Sequence, residues 1–408
     1  MYSYINDIKE SILDGLDENN SKLFECVYAV IRNPNFGKYH PIFDNPNYHI
    51  LVYNEIRRVF KYLLDIMKKH DHIGLSSDYQ YIIRWFYTQK FFDIGLSCNL
   101  FLDPLVPRGE GKNYGLWKYL SKYLSDEIIE SVENYLLESC KCIYQKIEKF
   151  IESSSLADTV VFINNRRDKL YNLSCGGLSF DISYKYHKKL NKLYLHSSSQ
   201  NINLFNCRVF NLLCRYNTLY SPGYQAMLPE QVFDLLNEKL FVKHEIFASP
   251  ANCTLRCYTS AYPDTDYHFG SQGNFFENYV SLFRRGGSYE LNPPFIEEHM
   301  LLMTLILIYF LDVCSNPLSF IVIIPSWTDS LVYKLLSSSK HNVIPEKEVR
   351  LDRLCHYYRN GGNYESTDDS IKNASNNSSI FILQNSLGKD VYPVTDGLLA
   401  DIKLKFTS

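Results

Sequence analysis

The chain has 408 residues, which is long enough for two domains and a large hydrophobic core. Hydrophobic residues make up 46% and charged residues 21% of the chain, as in an ordinary soluble globular protein. The formal charge of −3 excludes a broad basic field for nucleic acid, so any RNA contact has to be a local patch or pocket.

The first part of the chain is predicted to be helical. Its N-terminus lacks the basic and then apolar order of a signal peptide, so we expect an intracellular protein. Residues 53–69 place apolar side chains on one face at helical spacing, and residues 116–124 and 128–150 continue in the same style. We therefore predict a helical domain over residues 1–155.

A change of pattern near residue 156 indicates a second domain, residues 156–408. Residues 158–163 and 178–183 are predicted to form a strand pair around the glycines at 176–177. An alternation of helices and strands typical of α/β folds follows. The predicted helices cover residues 184–195, 204–216, 229–240 and 297–314, and the predicted strands cover residues 243–248, 287–291, 319–325 and 379–384.

Two further segments of this domain have a distinct composition. Residues 300–311 form the longest apolar stretch, which is too short to span a bilayer, so we expect a buried helix and no membrane partner. Residues 360–378 are polar and rich in Gly, Asn and Ser, which predicts a mobile surface insertion. The eleven cysteines show no CxxC pair and no zinc-type spacing, so we expect reduced thiols and no metal site.

The first of three candidate loops follows the strand predicted at residues 243–248. Ligands in open α/β sheets bind at the carboxyl ends of the strands. Ala248, Ser249 and Pro250 are small enough or stiff enough to let the backbone approach a ligand, and Asn252 can form a hydrogen bond with it. A plain strand-to-helix turn is the alternative.

The second candidate loop begins at residue 262. A carboxylate after the second strand commonly binds a cofactor ribose, and Asp264 and Asp266 compete for that role. The turn containing Gly270 and Ser271 would frame the cofactor with backbone amides. The alternative is a pair of solvated carboxylates on an ordinary turn.

The third candidate loop is Asn292-Pro293-Pro294-Phe295, which has the properties needed to hold a planar amine. The Asn292 carbonyl can accept one N–H of the amine, and the Pro293 carbonyl can accept the other because the prolines stiffen the loop. The Phe295 ring can stack on the base. The amine would thus face a methyl group of S-adenosylmethionine, in catalysis by positioning. A simple turn is the alternative.

A fourth loop, after the strand at residues 319–325, contains Trp327, Thr328, Asp329 and Ser330. A tryptophan at this position can stack on an aromatic or positively charged base. The alternative is a tryptophan at the rim that packs against its own loop.

Together these residues resemble the cap-specific adenosine N6-methyltransferases of the phosphorylated-CTD-interacting-factor family. The resemblance is specific over about residues 204–330 and 379–392 and is loose over the helical half. The motifs that carry it are Glu245–Cys253, Ser260–Asp266 with Phe269–Ser271, Tyr289–Phe295 with Glu297 and Glu298, and Pro317–Trp327.

This resemblance implies a helical substrate-binding domain followed by a Rossmann-like methyltransferase domain. The implied reaction moves a methyl group from S-adenosylmethionine to N6 of the first transcribed adenosine, beside the 7-methylguanosine cap of mRNA. By motif, Asn292–Phe295 are catalytic and touch the cofactor, and Glu290 is a further cofactor contact. Glu297 contacts the substrate, and the loop from Trp327 recognises the cap.

Other parts of the resemblance leave alternatives open. Arg57 and Arg84 are candidate substrate contacts in the helical domain, and each is equally well explained as a surface charge. Better-known members carry an N-terminal WW module with two spaced tryptophans, whereas Trp85 and Trp117 lie in predicted helices. Binding of the RNA polymerase II tail is therefore doubtful. We expect the protein in the nucleus, or in the cytoplasm if it is viral.

Two other functions have to be weighed against cap methylation. The first is the same chemistry on a different amine, such as another RNA adenine, a DNA adenine or a protein glutamine. The second is a catalytically retired protein that binds RNA or polymerase. The intact Asn292 argues against the second, since a relic would be free to lose this residue.

Overall fold

The computed structural model describes residues 41–69, 78–92, 103–108, 120–121, 124–153, 161–166, 169–197, 201–219, 225–344, 349–362, 364–366 and 371–407. Over these residues the chain forms two compact units. The helical unit comprises Arg32–Ser221 and Asp264–Phe269, and the sheet unit comprises Pro222–Pro263 and Gly270–Ser408. The boundary predicted at residues 155/156 lies inside the helical unit.

Five labelled helices and one small antiparallel sheet form the helical unit. These elements are α1 Pro46–Lys69, α2 Asp78–Phe92, α3 Asp126–Ser153, β1 Phe162–Arg166, β2 Leu170–Cys175, β3 Leu178–Ser183, α4 Tyr184–His196 and α5 Phe205–Thr218. Helix α1 packs against α3 and α5. It buries Ile56, Val59, Phe60 and Leu63, as the helical spacing of its apolar side chains predicts.

The hairpin in this unit differs from the predicted one. Strand β3 pairs with β2, and β2 lies between β3 and β1. The predicted pairing of residues 158–163 with 178–183 is therefore wrong. Gly176 and Gly177 both have positive φ, so they form a two-residue turn that joins two adjacent strands directly.

The sheet unit is built on a six-stranded sheet. Its elements are β4 Ala226–Met227, α6 Glu230–Leu240, β5 His244–Ala248, β6 Cys257–Ser260, α7 Phe275–Phe283, β7 Gly287–Leu291, α8 Glu297–Val313, β8 Leu318–Pro325, α9 Leu331–Ser338, β9 Val349–Leu351, β10 Tyr357–Asn360, β11 Ile371–Asn373, β12 Ser378–Gln384, α10 Ser386–Val391 and α11 Asp396–Thr407. The strand order is β6-β5-β7-β8-β12-β9. Strands β5 to β8 are parallel, whereas β12 runs antiparallel to both of its neighbours.

Helices cover both faces of this sheet, as the alternation of side chains on β8 shows. Ile321 and Ile323 belong to the apolar core that also contains residues of α6 and α11. Phe320 points to the opposite face and packs on Phe283 of α7, with ring centroids 4.7 Å apart. Every residue of β8 and β12 is buried, as their continuous apolar runs predict. The fold is α/β, with a helical N-terminal region and a Rossmann-like sheet.

A second, three-stranded sheet of order β11-β10-β4 belongs to the same unit. Strands β4 and β10 pair antiparallel and bring Ala226 opposite Asn360. We call β4, β10 and the adjoining Gln225 and Gly361 the ribbon. The described part of the segment at residues 360–378 contains β11, so it holds regular structure, and its mobility stays a prediction.

No helix in the described part of the chain combines the length and the apolar character that crossing a membrane requires.

Candidate active site

The loops after β5 and β7 lie where the strand order of the large sheet reverses. From β5 the chain passes to β6 on one side, and it later returns to β7 on the other side. A reversal of this kind opens a crevice at the carboxyl ends of the two strands, which is the usual ligand site of open α/β sheets. Residues 248–252 and the tetrad Asn292–Phe295 both leave the sheet at this point.

The end of β5 has an unusual backbone conformation. Phe247 has a φ of 69°, and the pairing of β5 with β6 is irregular between Glu245 and Ala248. A bulky residue in the left-handed region is strained, so the surrounding packing has to hold it there. The Phe247 ring packs on Phe275 and Phe276 of α7. The strand therefore ends in a sharp bend directly before the loop.

Both polar ends of the Asn252 side chain form hydrogen bonds within the protein. Its Oδ1 accepts the backbone N–H of Ser249 at 2.5 Å, and its Nδ2 donates to Oε1 of Gln225 at 3.2 Å. Ala248, Ser249 and Asn252 are all buried. The loop thus offers mainly its backbone to a ligand. The contacts of Ala248, Ser249, Pro250 and Asn252 with a cofactor stay predictions.

The tetrad continues β7 and begins with a half-buried Asn292. Nδ2 of Asn292 donates to the backbone carbonyl of Ala226 in β4 at 3.2 Å, so Oδ1 is the end of the amide left to accept. The Pro294 carbonyl accepts the N–H of Ile296 at 2.7 Å, whereas no hydrogen bond within the described residues uses the Pro293 carbonyl. Two acceptors, Oδ1 and the Pro293 oxygen, therefore remain available for an amine with two hydrogens.

The contact of Asn292 with Ala226 was not foreseen from the sequence. Ala226 precedes the tetrad by 66 residues. It belongs to β4, which pairs with β10 in the three-stranded sheet and not with a strand of the large sheet. A two-residue strand of ordinary composition has no local signature, so only the long-range pairing reveals it.

Glu290 lies two residues before Asn292 on β7 and is only 1% exposed. It stands directly opposite Glu245 of β5, and its Oε1 has no hydrogen-bond partner among the described atoms. Burial and then the neighbouring Glu245 raise the pKa of Glu290 well above that of an ordinary glutamate. Glu245 itself accepts the N–H groups of Thr254 and Leu255, at 2.7 and 3.0 Å. Burial and the neighbouring carboxylate thus both favour the neutral form of the Glu290 carboxyl.

The loop after β8 places an aromatic ring near the tetrad. The rings of Trp327 and Phe295 have centroids 6.4 Å apart and meet edge to face. Ser330 caps helix α9 by accepting the N–H of Tyr333, whereas Thr328 and Asp329 are exposed. The aromatic pair thus comes from two loops at the same edge of the sheet.

The turn after the second candidate loop is open at Gly270. This residue has a φ of 92°, and a Cβ added to it would meet nothing within 4 Å. The hydroxyls of Ser271 and Ser260 lie 2.6 Å apart, which fixes the turn to the end of β6. The backbone at Gly270 is therefore open to an approaching group, and the contact of Gly270 and Ser271 with a cofactor stays a prediction.

Four other predicted site residues belong to the helical unit. Asp264 is buried and pairs with Arg215 of α5 at 2.7 Å, and Asp266 accepts the Tyr216 hydroxyl at 2.6 Å. These carboxylates are not solvated as on an ordinary turn, and the ribose contact of either one stays a prediction. Arg57 on α1 is exposed and Arg84 on α2 is half-buried. Glu297 opens helix α8 in the sheet unit.

Among the described residues, no group of three or more histidine, cysteine, aspartate or glutamate side chains is placed to hold a metal ion.

Two known proteins of the same name are similar in sequence to this chain. A protein from Mus musculus named mRNA (2'-O-methyladenosine-N(6)-)-methyltransferase is 30% identical over 280 residues, which cover 66% of this chain and 38% of that protein. The protein of the same name from Homo sapiens is 35% identical over 216 residues, which cover 51% and 30%. The chain is homologous to these mRNA methyltransferases. It spans well under half of the length of these relatives.

A family model described as Phosphorylated CTD interacting factor 1 WW domain also matches, over residues 189–361. The resemblance to the phosphorylated-CTD-interacting-factor family is thereby confirmed. The description of this family model includes a WW domain, which disagrees with the prediction that this chain lacks such a module. The matched residues contain one tryptophan, Trp327, and include the four parallel strands β5 to β8. The match therefore falls on the region that carries the tetrad.

Proposed function

We propose that this chain transfers a methyl group from S-adenosylmethionine to N6 of the adenosine next to the 5′ cap of mRNA. The observation that carries the proposal is the position of Asn292–Phe295. This tetrad lies at the carboxyl end of β7, at the reversal of the strand order, in a chain homologous to enzymes named for that reaction.

The crevice beside β5 and β7 fits S-adenosylmethionine in two respects. The buried Oε1 of Glu290 has no hydrogen-bond partner in the described structure, and the backbone at Gly270 is open to an approaching ligand. The residues that would hold the cofactor are Ala248, Ser249, Pro250, Asn252, Gly270, Ser271, Glu290 and Asn292. The bound cofactor would supply an electrophilic methyl group on its sulfonium.

The tetrad would act by holding the adenine amine. Oδ1 of Asn292 would accept one N–H and the carbonyl of Pro293 would accept the other, so the nitrogen is presented in a fixed direction. The two prolines restrict the backbone, which lowers the entropy that is lost when the base binds. Such positioning can contribute several kcal/mol to catalysis without a strong base.

The aromatic rings near the tetrad support a capped substrate. Phe295 would stack on the adenine, and Trp327 offers a second face to the 7-methylguanine, whose positive charge favours an aromatic ring. Glu297 and the loop Thr328–Ser330 would add polar contacts. The site of action would be the nucleus, or the cytoplasm if the protein is viral.

Binding of the phosphorylated polymerase tail is suggested by the description of the matching family. The 173 matched residues, from 189 to 361, contain one tryptophan rather than the spaced pair of a WW module. We therefore expect a phosphorylated tail peptide to bind weakly or not at all. A titration of the labelled peptide, with the unphosphorylated peptide as control, would detect this binding.

A substrate panel with labelled S-adenosylmethionine tests the proposed reaction. The panel contains capped RNA beginning with 2′-O-methyladenosine, with adenosine or with guanosine, and uncapped RNA beginning with adenosine. We expect label in the capped adenosine RNAs, at N6, and hardly any in the others. Equal labelling of uncapped RNA would reject the cap as the recognised feature and would favour a general adenine N6-methyltransferase.

The role of the tetrad is tested on the same panel with the variant Asn292→Ala. It removes the amide and leaves the backbone of the loop unchanged. We expect loss of turnover with an unchanged thermal unfolding midpoint. Turnover at the wild-type rate would remove the tetrad from the mechanism.

A further inference from the structure

The ribbon fixes which end of the Asn292 amide faces the crevice. The Ala226 carbonyl is an acceptor only, and Nδ2 of Asn292 donates to it at 3.2 Å. The position of this carbonyl is fixed in turn, because Ala226 is paired with Asn360 and the N–H of Gly361 donates to the Gln225 carbonyl at 2.9 Å. With Nδ2 held on the ribbon side, Oδ1 has to point away from it.

We propose that the ribbon is a positioning device for the tetrad and restricts residue 292 to asparagine. The inference rests on the proposed methyl transfer. Holding an amine requires one acceptor at residue 292, which an aspartate carboxylate would supply as well as an amide. An ionised aspartate has no hydrogen to donate to Ala226, however, and would bring a charged oxygen against the carbonyl oxygen. The ribbon, rather than the chemistry of the amine, therefore excludes aspartate.

Gly361 is the residue that lets the ribbon come so close. It is buried, and its φ lies outside the left-handed region, so an alanine would suit the local backbone. A Cβ at this position would overlap the Cβ of Asn252 and lie 2.9 Å from the Gln225 carbonyl oxygen. Gln225 also holds the Asn252 amide. Gly361 is thus a positioning residue that acts on both candidate loops through Gln225 and Ala226.

The first test compares Asn292→Asp with the wild type on capped adenosine RNA over a range of pH. At neutral pH we expect the kcat of Asn292→Asp to fall by about 100-fold, because the side chain is pushed out of position. Lowering the pH should restore part of the rate relative to wild type, since a protonated aspartate can donate to Ala226 and still accept from the amine. Wild-type kcat at neutral pH would overturn the restriction to asparagine.

The second test needs no substrate. In protein labelled with ¹⁵N-asparagine, the side-chain NH₂ signals of Asn292 are identified by their loss in Asn292→Asp. We expect one of the two protons to be shifted downfield and protected from exchange. Gly361→Ala should move both signals toward those of a free amide. The matched control is Gly397→Ala in α11, whose Cβ would come no closer than 3.9 Å to its nearest neighbour, Oγ1 of Thr395, and should leave these signals unchanged.

The two tests separate the ribbon from the proposed reaction. An unchanged Asn292 signal in Gly361→Ala would overturn the positioning role of the ribbon, whatever the substrate is. If the wild type methylates none of the RNAs, the proposed function fails while the amide signals still decide whether the ribbon holds Asn292. Thermal unfolding of each variant shows whether it is folded. If Gly361→Ala does not fold, the kinetics of Asn292→Asp still test the proposal.

Discussion

At the scale of single residues, the least expected group of the site is the carboxyl of Glu290. It is nearly inaccessible to solvent and faces Glu245 across the pairing of β5 with β7. A second negative charge there would be desolvated and repelled, which is why the pKa of Glu290 lies well above its ordinary value. A carboxyl whose surroundings favour its neutral form therefore lies two residues before the tetrad.

Replacement of Glu290 by glutamine is expected to remove a pH dependence of stability. An acid whose pKa is raised on folding stabilises the protein fully below its unfolded pKa, about 4.3, and loses this contribution as the pH rises toward the folded pKa. Glutamine imitates the neutral acid at every pH. The wild type should therefore become less stable relative to Glu290→Gln with rising pH, by at most about 1.4 kcal/mol per pH unit.

Urea unfolding of both proteins between about pH 4 and pH 9 measures this difference. The control is Glu130→Gln at an exposed position of α3, for which we expect a constant offset from wild type. A constant offset for Glu290→Gln as well would show that Glu290 is ionised in the folded protein.

At the scale of elements, helix α5 is held in the helical unit by a buried ion cluster. Arg215 pairs with Asp103 at 2.8 Å and with Asp264 at 2.7 Å, and all three side chains are at most 2% exposed. Tyr48 of α1 donates to the same carboxylate of Asp103, and Tyr144 of α3 donates to the carbonyl of Val106. Helices α1 and α5, the segment from Asp103 and the short helix Pro263–Asp266 thus meet at one guanidinium, and Tyr144 joins α3 to the segment from Asp103.

Removal of Arg215 should destabilise the helical unit strongly. Arg215→Met keeps an apolar stem of similar length but leaves two buried carboxylates without a cation, and breaking such a pair typically costs about 3–5 kcal/mol. Arg58→Met is the matched control, because Arg58 is exposed and pairs with Glu55 at the surface, where a change within about 0.5 kcal/mol is usual. Urea unfolding monitored by circular dichroism compares the two variants. Equal midpoints would contradict the role of the cluster.

The elements also show what the sequence can and cannot predict. Continuous apolar runs predicted β8 and β12 because burial on both faces leaves a local pattern. The tetrad is recognisable because its four residues are adjacent in the chain and form a local motif. The acceptor for Asn292 is a backbone carbonyl at Ala226, and any residue could supply it. The predicted strand partner of β3 was wrong because the segments of β1 and β2 both have strand character. The turn at Gly176 and Gly177 joins β3 to β2 and so decides between the two.

At the scale of the whole molecule, the two units are interleaved along the chain. Residues 264–269 pack with the helical unit, although the segments before and after them belong to the sheet unit. A domain boundary predicted from composition divides the chain at one point, such as between residues 155 and 156. It cannot assign a short later segment, such as residues 264–269, to the first unit. Within the helical unit, Asp264 pairs with Arg215, which lies 49 residues earlier in the chain.

The net charge of the whole molecule predicts how RNA binding should depend on salt. With a formal charge of −3, the chain has no general attraction for the phosphate backbone. Under the proposed function we therefore expect a capped RNA to be bound mainly by stacking and hydrogen bonds in a pocket. For single strands the slope of log K against log salt is about −0.7 per phosphate contact. Two such contacts would weaken binding only about sevenfold between 50 and 200 mM salt, whereas six would weaken it by more than about 300-fold.

Fluorescence anisotropy with a short labelled RNA, capped and beginning with adenosine, measures this slope directly. We expect the shallow dependence, together with a strong loss of affinity in Trp327→Ala at every salt concentration, because stacking is largely insensitive to salt. The control is Trp327→Phe, which retains an aromatic face and should keep most of the affinity. A steep slope with an unchanged affinity of Trp327→Ala would show that binding depends on phosphate contacts, and the pocket at the carboxyl edge of the sheet would then not be what recognises the cap.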